Sequence, residues 1–234
     1  MTSQAAVAAP ARWQRARAWL RGPGLQAVVH IGALLPLALL LLDWAANDLT
    51  ANPIQAATLR TGYPALVLLV LSLACTPVAA LTGWKRLIAF RRPLGLYAVL
   101  YASLHLAIFA LVDYALDWSL IGQTIAEKRY VVVGFTTFLL LVPLAITSTR
   151  GWQRRLGRRW RTLHRLVYIA VPLAVVHYIW LSKTPIPGPA IFAVIVLTLL
   201  TLRLPPVRRA IASWRSRFGV IPGRVRRDHR PAGD

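Results

Sequence analysis

Two of the five histidines in this 234-residue chain sit where an imidazole is costly. His105 lies in the apolar run Leu94–Val112, and His177 in the run Leu163–Leu181. An ionisable ring in hydrocarbon is expensive and by default faces a functional interior. Two such rings at one depth on parallel helices can bind a haem iron from opposite faces. The plainer alternative is an interhelical hydrogen bond. Small residues follow each histidine down its helix: Ala102 and Ala98 below His105, Ala174 and Ala170 below His177. They leave clearance for a flat macrocycle, and they would equally permit close helix packing.

His164 stands thirteen residues before His177, a rise of about 20 Å. That separation suits a second haem stacked across a membrane. On an ideal helix the two side chains point about 140° apart, and a kink at Pro172 would be needed to align them. The equivalent positions below His105 hold Arg92 and Arg91. Arginine stays protonated and is a poor iron ligand, but it pairs well with haem propionates. One haem is therefore expected, with a second left open at His164. His30 reads as a packing or headgroup residue that could approach a second haem, and His229 as a solvated one. Cys75, the lone cysteine, reads as a small apolar residue and excludes an intramolecular disulfide.

The elements that must position these rings follow from composition. The chain is 57% hydrophobic with a mean hydropathy of +0.55, yet its formal net charge is +21. That much apolar surface exceeds what one soluble core can use, and disordered or disulfide-scaffold classes are excluded. A bilayer core of about 30 Å needs about 20 apolar residues per helix. Six runs approach this: Leu25–Leu42, Pro64–Thr82, Leu94–Val112, Tyr130–Thr147, Leu163–Leu181 and Pro189–Leu204. The last is short and bracketed by prolines. The expectation is an all-α integral membrane protein, a six-helix bundle. The first run follows Arg12, Arg15, Arg17 and Arg21 without a small-x-small cleavage site, so it reads as a retained anchor.

Charge then gives an orientation. Alternate loops and both termini hold 24 of the 28 basic residues, and the opposite loops hold only Arg60, Lys128, Arg129 and Lys183. Five of the seven acids, Asp43, Asp48, Asp113, Asp117 and Glu127, lie with those four. Basic loops stay cytoplasmic, which places both termini inside. The positive charge is thus a topology and lipid-headgroup signal, not a nucleic-acid footprint. Residues 1–24 form a basic segment, 25–204 the helical domain and 205–234 a basic tail. The tail, with Trp214 among its arginines, suits an amphipathic helix on the membrane surface. There is no repeat of solenoid type, Walker loop, dinucleotide fingerprint, zinc-spaced cluster or serine triad.

Two stretches, RRPLGLYAVLYASLH (Arg91–His105) and TSTRGWQRRLGRRWRTLHRLVYIAVPLAVVHYIW (Thr147–Trp180), resemble a known family. It is the haem-binding membrane subunit of the bacterial periplasmic methionine-sulfoxide reductase system, within the ferric-reductase-like transmembrane superfamily. The resemblance covers roughly Arg91–Leu204; the first span and both tails match only in hydropathy. It implies a haem b protein of the bacterial inner membrane, with FMN as an associated cofactor. Electrons would come from the quinone pool or from flavin reduced by a cytoplasmic reductase. They would pass to a periplasmic molybdopterin-containing catalytic subunit that repairs oxidised envelope proteins, this chain being the non-catalytic partner of the heterodimer. The family's histidines carry over as His105, His164 and His177. A fourth, frequent in the superfamily, falls where Arg91 or Arg92 stands.

Two other functions fit the residues less fully. A ferric or oxygen metalloreductase would need a cytoplasmic flavin and nicotinamide domain, for which the tail is too short. A transporter using its histidines to relay protons or bind a metal would purify colourless. The six-span orientation has its own check. A reporter active only in the periplasm should work when fused after Asp117 or Lys183 and be silent after Arg158 or at the C-terminus. Activity at the C-terminus would overturn the orientation.

Overall fold

The computed structural model describes residues 23–182 and 187–217. The basic residues 12, 15, 17 and 21, Lys183, His229 and the tail beyond 217 lie outside them. Most of the described residues are helical, and no strand occurs among them. The first helix, α1 (Pro23–Ala45), is followed by α2 (Pro53–Thr82) and α3 (Leu87–Ala107), which runs on as a π-helical turn (Ile108–Asp113). A short helix, α4 (Trp118–Glu127), leads into α5 (Arg129–Ile146). Two shorter ones, α6 (Arg150–Leu156) and α7 (Arg158–Leu163), and a 3-10 turn (His164–Leu166) precede α8 (Val167–Leu181). The described chain closes with α9 (Pro187–Thr201) and α10 (Pro205–Arg217).

Five segments are long and apolar enough to cross a membrane, and α9 with α10 forms a sixth, bent pair at 77°. Large apolar side chains stay exposed around the bundle, among them Ile31 (66%), Val194 (63%) and Leu197 (63%). In water such a surface would aggregate; in lipid it is the solvated face. At fifteen residues α9 rises about 22 Å, short of the hydrocarbon core, which agrees with its proline brackets. Beyond the bend α10 carries the amphipathic pattern expected of the early tail.

Local rules account for the boundaries. The Asn52 side chain accepts the Gln55 N–H and Pro53 takes the first helical position, so α2 begins eleven residues before its apolar run. Gln55 and Arg60 had disguised those turns as loop. Gly83, at φ 78°, ends the helix and returns its N–H to the Ala79 carbonyl. Asp117 caps α4 through the Ser119 and Leu120 N–H groups. Gly157, at φ 52° and ψ −119°, breaks α6 from α7 in a conformation open only to glycine.

Around the centre α2, α3, α5 and α8 form a ring in that order, leaving α3 and α8 on a diagonal. Ala98 (1% exposed), Tyr101 (0%), Ala170 (0%) and Val171 (0%) pack in the shared core. For Ala98 and Ala170 the packing reading therefore holds, whereas Ala102 and Ala174 are only half-buried. Side chains repair what the prolines break. Within α1, next to Pro36, the Tyr101 hydroxyl inserts between the Ala33 carbonyl, to which it donates at 2.8 Å, and the Leu37 N–H, from which it accepts at 2.9 Å. On α2, Pro77 has no N–H to offer the Leu73 carbonyl, and Arg203 donates to it instead. Arg203 also donates to the Tyr168 hydroxyl at 2.9 Å and lies over that ring. Counted by sequence as a tail charge, Arg203 is in fact drawn into the bundle, because the proline leaves an acceptor there.

Tyr101→Phe removes a buried bridge and leaves two backbone groups unpaired, at a cost of about 1–3 kcal/mol. Thermal unfolding in detergent should show a clear loss for Tyr101→Phe and a smaller one for Tyr97→Phe, whose partner His30 is exposed.

Candidate metal centre

The helix diagonal brings the rings of His105 and His177 opposite each other. Their ring centroids are 6.2 Å apart, with planes at 86°. His105 Nδ1 donates to the Thr58 carbonyl of α2 at 2.9 Å, and His177 Nδ1 donates to the Tyr130 carbonyl of α5 at 2.7 Å. A carbonyl oxygen can only accept, so each ring carries its proton on Nδ1 and leaves a lone pair on Nε2. Such a second hydrogen bond fixes the ring of a metal-ligating histidine and raises its basicity.

Those carbonyls are already helix acceptors, and a side chain normally covers the approach to them. Glycine uncovers them here. Gly62 is four residues after Thr58, and a Cβ there would come within 2.9 Å of His105 Nδ1. Gly134 is four residues after Tyr130, and a Cβ there would come within 2.6 Å of His177 Nδ1. Each imidazole thus lies in a notch of the neighbouring helix.

The two halves of the site repeat. Thr58, Gly62 and His105 recur 72 residues later as Tyr130, Gly134 and His177. At the same offset Leu68, Leu69, Val70, Leu94, Ala98, Val99 and Ala102 meet identical residues at 140, 141, 142, 166, 170, 171 and 174. The unit is one helix running each way, α2 with α3 and then α5 with α8, so the pair sits where two copies meet. One offset between two halves makes no solenoid period, yet it is readable in the sequence. Gly62 and Thr58 were missed for another reason, the polar residues that hid the start of α2.

A metal ion held about 2 Å from each Nε2 asks for ring centroids roughly 6 Å apart, and the observed spacing meets that. The donor set is two neutral imidazoles; among the described residues no third His, Cys, Asp or Glu joins them. Two neutral imidazoles without a third protein ligand suit an iron that brings its own macrocycle. The residues fit such a group.

His164 is placed apart, on the 3-10 turn. Its Nε2 lies 3.1 Å from the Thr147 hydroxyl, whose own proton goes to the Pro143 carbonyl at 2.6 Å. Nε2 must therefore donate, the opposite tautomer to the upper pair. The ring stacks on Trp160 at 4.0 Å, and Trp160 in turn donates to the Thr147 carbonyl at 2.9 Å. His164 and His177 both meet α5, at its two ends. The register expected from a Pro172 kink is supplied with the 3-10 turn at His164–Leu166, while Pro172 stays inside a continuous α8. Arg91 and Arg92 part company: the Arg91 charge acts on His164, whereas Arg92 lines a cavity beside His30 on the α1 side. At the 72-residue offset Arg92 is the counterpart of His164.

Residues 61–175 match the family described as ferric reductase like transmembrane component, a span that opens beside Gly62 and closes just short of His177. Over 184 residues the chain is 47% identical to the protein-methionine-sulfoxide reductase heme-binding subunit MsrQ of Xanthomonas campestris pv. campestris strain 8004, covering 75% of this chain and 84% of that protein. The MsrQ of Rhodospirillum rubrum is 44% identical over 189 residues, 80% of this chain and 91% of that one. The chain belongs to the MsrQ family. It is a multi-pass helical membrane protein, and these relatives are bacterial, in keeping with the inner membrane.

The notches carry a prediction that needs no bound group. Alanine at Gly134 should push the His177 ring off the Tyr130 carbonyl, and alanine at Gly62 should do the same to His105 less severely. Nitrogen NMR of labelled histidines would register it as loss of the hydrogen-bonded Nδ1–H signal. Unchanged signals in both variants would refute the notch.

Proposed function

We propose that this chain is a haem b electron-transfer subunit serving a periplasmic methionine-sulfoxide reductase. The observation that carries the reading is the pair of facing imidazoles with both Nδ1 protons committed and both Nε2 lone pairs free. His105 and His177 would hold the iron. When bound, a haem supplies a one-electron carrier whose potential is set by its axial ligands, hydrogen bonds and burial. The chain's own residues do the rest. Thr58 and Tyr130 hold the imidazole protons at Nδ1, Gly62 and Gly134 admit the rings, and the lipid-facing helices keep water from the interior.

Depth supports the direction of transfer. His177 is four residues from the end of α8 and its acceptor Tyr130 is the second residue of α5, so the pair lies about 6 Å of helix rise from that edge. The same edge bears Asp43, Asp48, Asp113, Asp117 and Glu127, the loops read as periplasmic. A catalytic subunit with a molybdopterin centre would dock there. The donor, the quinone pool or a reduced flavin, would act from the opposite side, where His164, Trp160 and Arg91 lie. A second haem at that level would require His164 to release Thr147 before its Nε2 could reach iron, so the reading rests on one. No side chain is assigned to FMN.

Optical spectra of the purified chain before and after dithionite test this directly. Wild type should give a sharp Soret band that shifts on reduction. His105→Ala and His177→Ala should each lose the same low-spin signal, and the double variant should lose little more, because ligands of one iron act as a unit. His164→Ala should keep that signal while slowing reduction from the cytoplasmic side. Full haem content and full repair of oxidised periplasmic proteins in both single variants would overturn the assignment.

A further inference from the structure

Between α1 and its neighbours the bundle is not closed. An apolar groove of about 590 Å3 runs there, with Val28, Gly32, Leu71 and Trp84 among its walls. Val28 (56% exposed), Leu71 (47%) and Trp84 (47%) leave it open to the lipid side. The groove shares Val29 and Phe90 with a second, polar cavity of about 400 Å3. Gln26, His30, Arg92 and Arg150 bring the polar groups of that cavity.

This cavity is cationic without an internal counter-ion. The acids among the described residues are Asp43, Asp48, Asp113, Asp117 and Glu127, all on the opposite loops, and the ion pair they form is Asp43 with Arg60. His30 Nδ1 is held by the Tyr97 hydroxyl at 2.8 Å, which leaves its Nε2 for a ligand. Arg92 and Arg150 are both exposed, and two like charges lining one cavity favour an anion between them. An anion alone would leave the adjoining groove empty, and an uncharged chain would leave the arginines unpaired. An amphiphile with an anionic head satisfies both.

We propose that the joined cavities bind one acidic diacyl phospholipid, with its phosphodiester against Arg92 and Arg150 and one acyl chain along the groove. Basic pockets between helices on the cytoplasmic side are suited to such headgroups. The contact would add a tie from α1 to α3 and α6 beside the Tyr101 and His30 hydrogen bonds and the Asp43–Arg60 ion pair. It stands independently of the haem, since Arg92 faces α1 and not the histidine pair.

Native mass spectrometry of the full chain, released from nanodiscs of mixed phosphatidylglycerol and phosphatidylcholine, tests it. Wild type should retain one phosphatidylglycerol in preference to phosphatidylcholine. Arg92→Gln with Arg150→Gln should cut that preference about 25-fold, about fivefold for each arginine lost. Gly32→Phe is the second arm: a Cβ at Gly32 meets nothing within 4 Å, so the ring can fill the groove. It should expel diacyl lipid yet still bind a short-chain glycerophosphate as wild type does. If the double variant does not fold, Arg150→Gln alone, on α6, should still lower the preference about fivefold. Equal retention of both lipids by wild type, or unchanged preference in the arginine variants, overturns the proposal. Displacement of the lipid by inorganic phosphate would also overturn it, making the ligand a free anion.

Discussion

The two imidazoles at the centre of the apolar bundle must each set an N–H on an acceptor, and His105 and His177 both donate Nδ1–H to a backbone carbonyl. That constraint organises the centre. Polar side chains are scarce at this depth, and helix carbonyls are already engaged with their own N–H groups. A carbonyl has two lone pairs, however, and glycine four residues later removes the Cβ that would block the second. Thr58 with Gly62, and Tyr130 with Gly134, are two solutions of the same problem. The helix carrying each histidine must lie close against the helix carrying its glycine, which sets the pairing of α3 with α2 and of α8 with α5.

The rest of the bundle uses the same resource. Lipid offers no hydrogen bonds, so backbone groups parted beside a proline gain from a partner inside the protein. Tyr101 threads its hydroxyl into α1 near Pro36, and Arg203 reaches the Leu73 carbonyl that Pro77 abandons. These contacts do what a hydrophobic effect cannot do in a membrane: they distinguish one helix packing from another of equal apolar area. Both couple an outer helix to the ring of four, α1 through α3 and the α9–α10 junction through α2 and α8.

Duplication explains why the site sits where it does. Two copies of an antiparallel helix pair, meeting about an axis along the membrane normal, place equivalent residues at equal depth. A pair of histidines on that axis becomes a ligand pair without further adjustment. Away from the axis the copies are free to diverge. Where one has His164 stacked on Trp160, the other has Arg92 turned toward α1. The two halves therefore differ in chemistry at this level although the 72-residue offset relates them at the histidine pair.

Class, the apolar runs and the matched depth of His105 and His177 were legible in the sequence. Hydropathy runs and charged loops depend on local composition, and the bilayer reads the same composition. The start of α2, the interfacial helix α4 and the 3-10 turn at His164 were not legible, because polar residues or short breaks interrupt the runs. Nor could spacing alone tell Arg91 from Arg92: adjacent residues on a helix point about 100° apart, and only the neighbours decide which one turns toward the α1 side. The 72-residue offset was present in the letters but silent until Gly62 and Gly134 were seen beside the rings. The sequence by itself determined that imidazoles would be buried in a membrane at two matching depths. The tertiary structure decided that they face each other with Nε2 free, because that outcome depends on which carbonyl a neighbouring helix exposes.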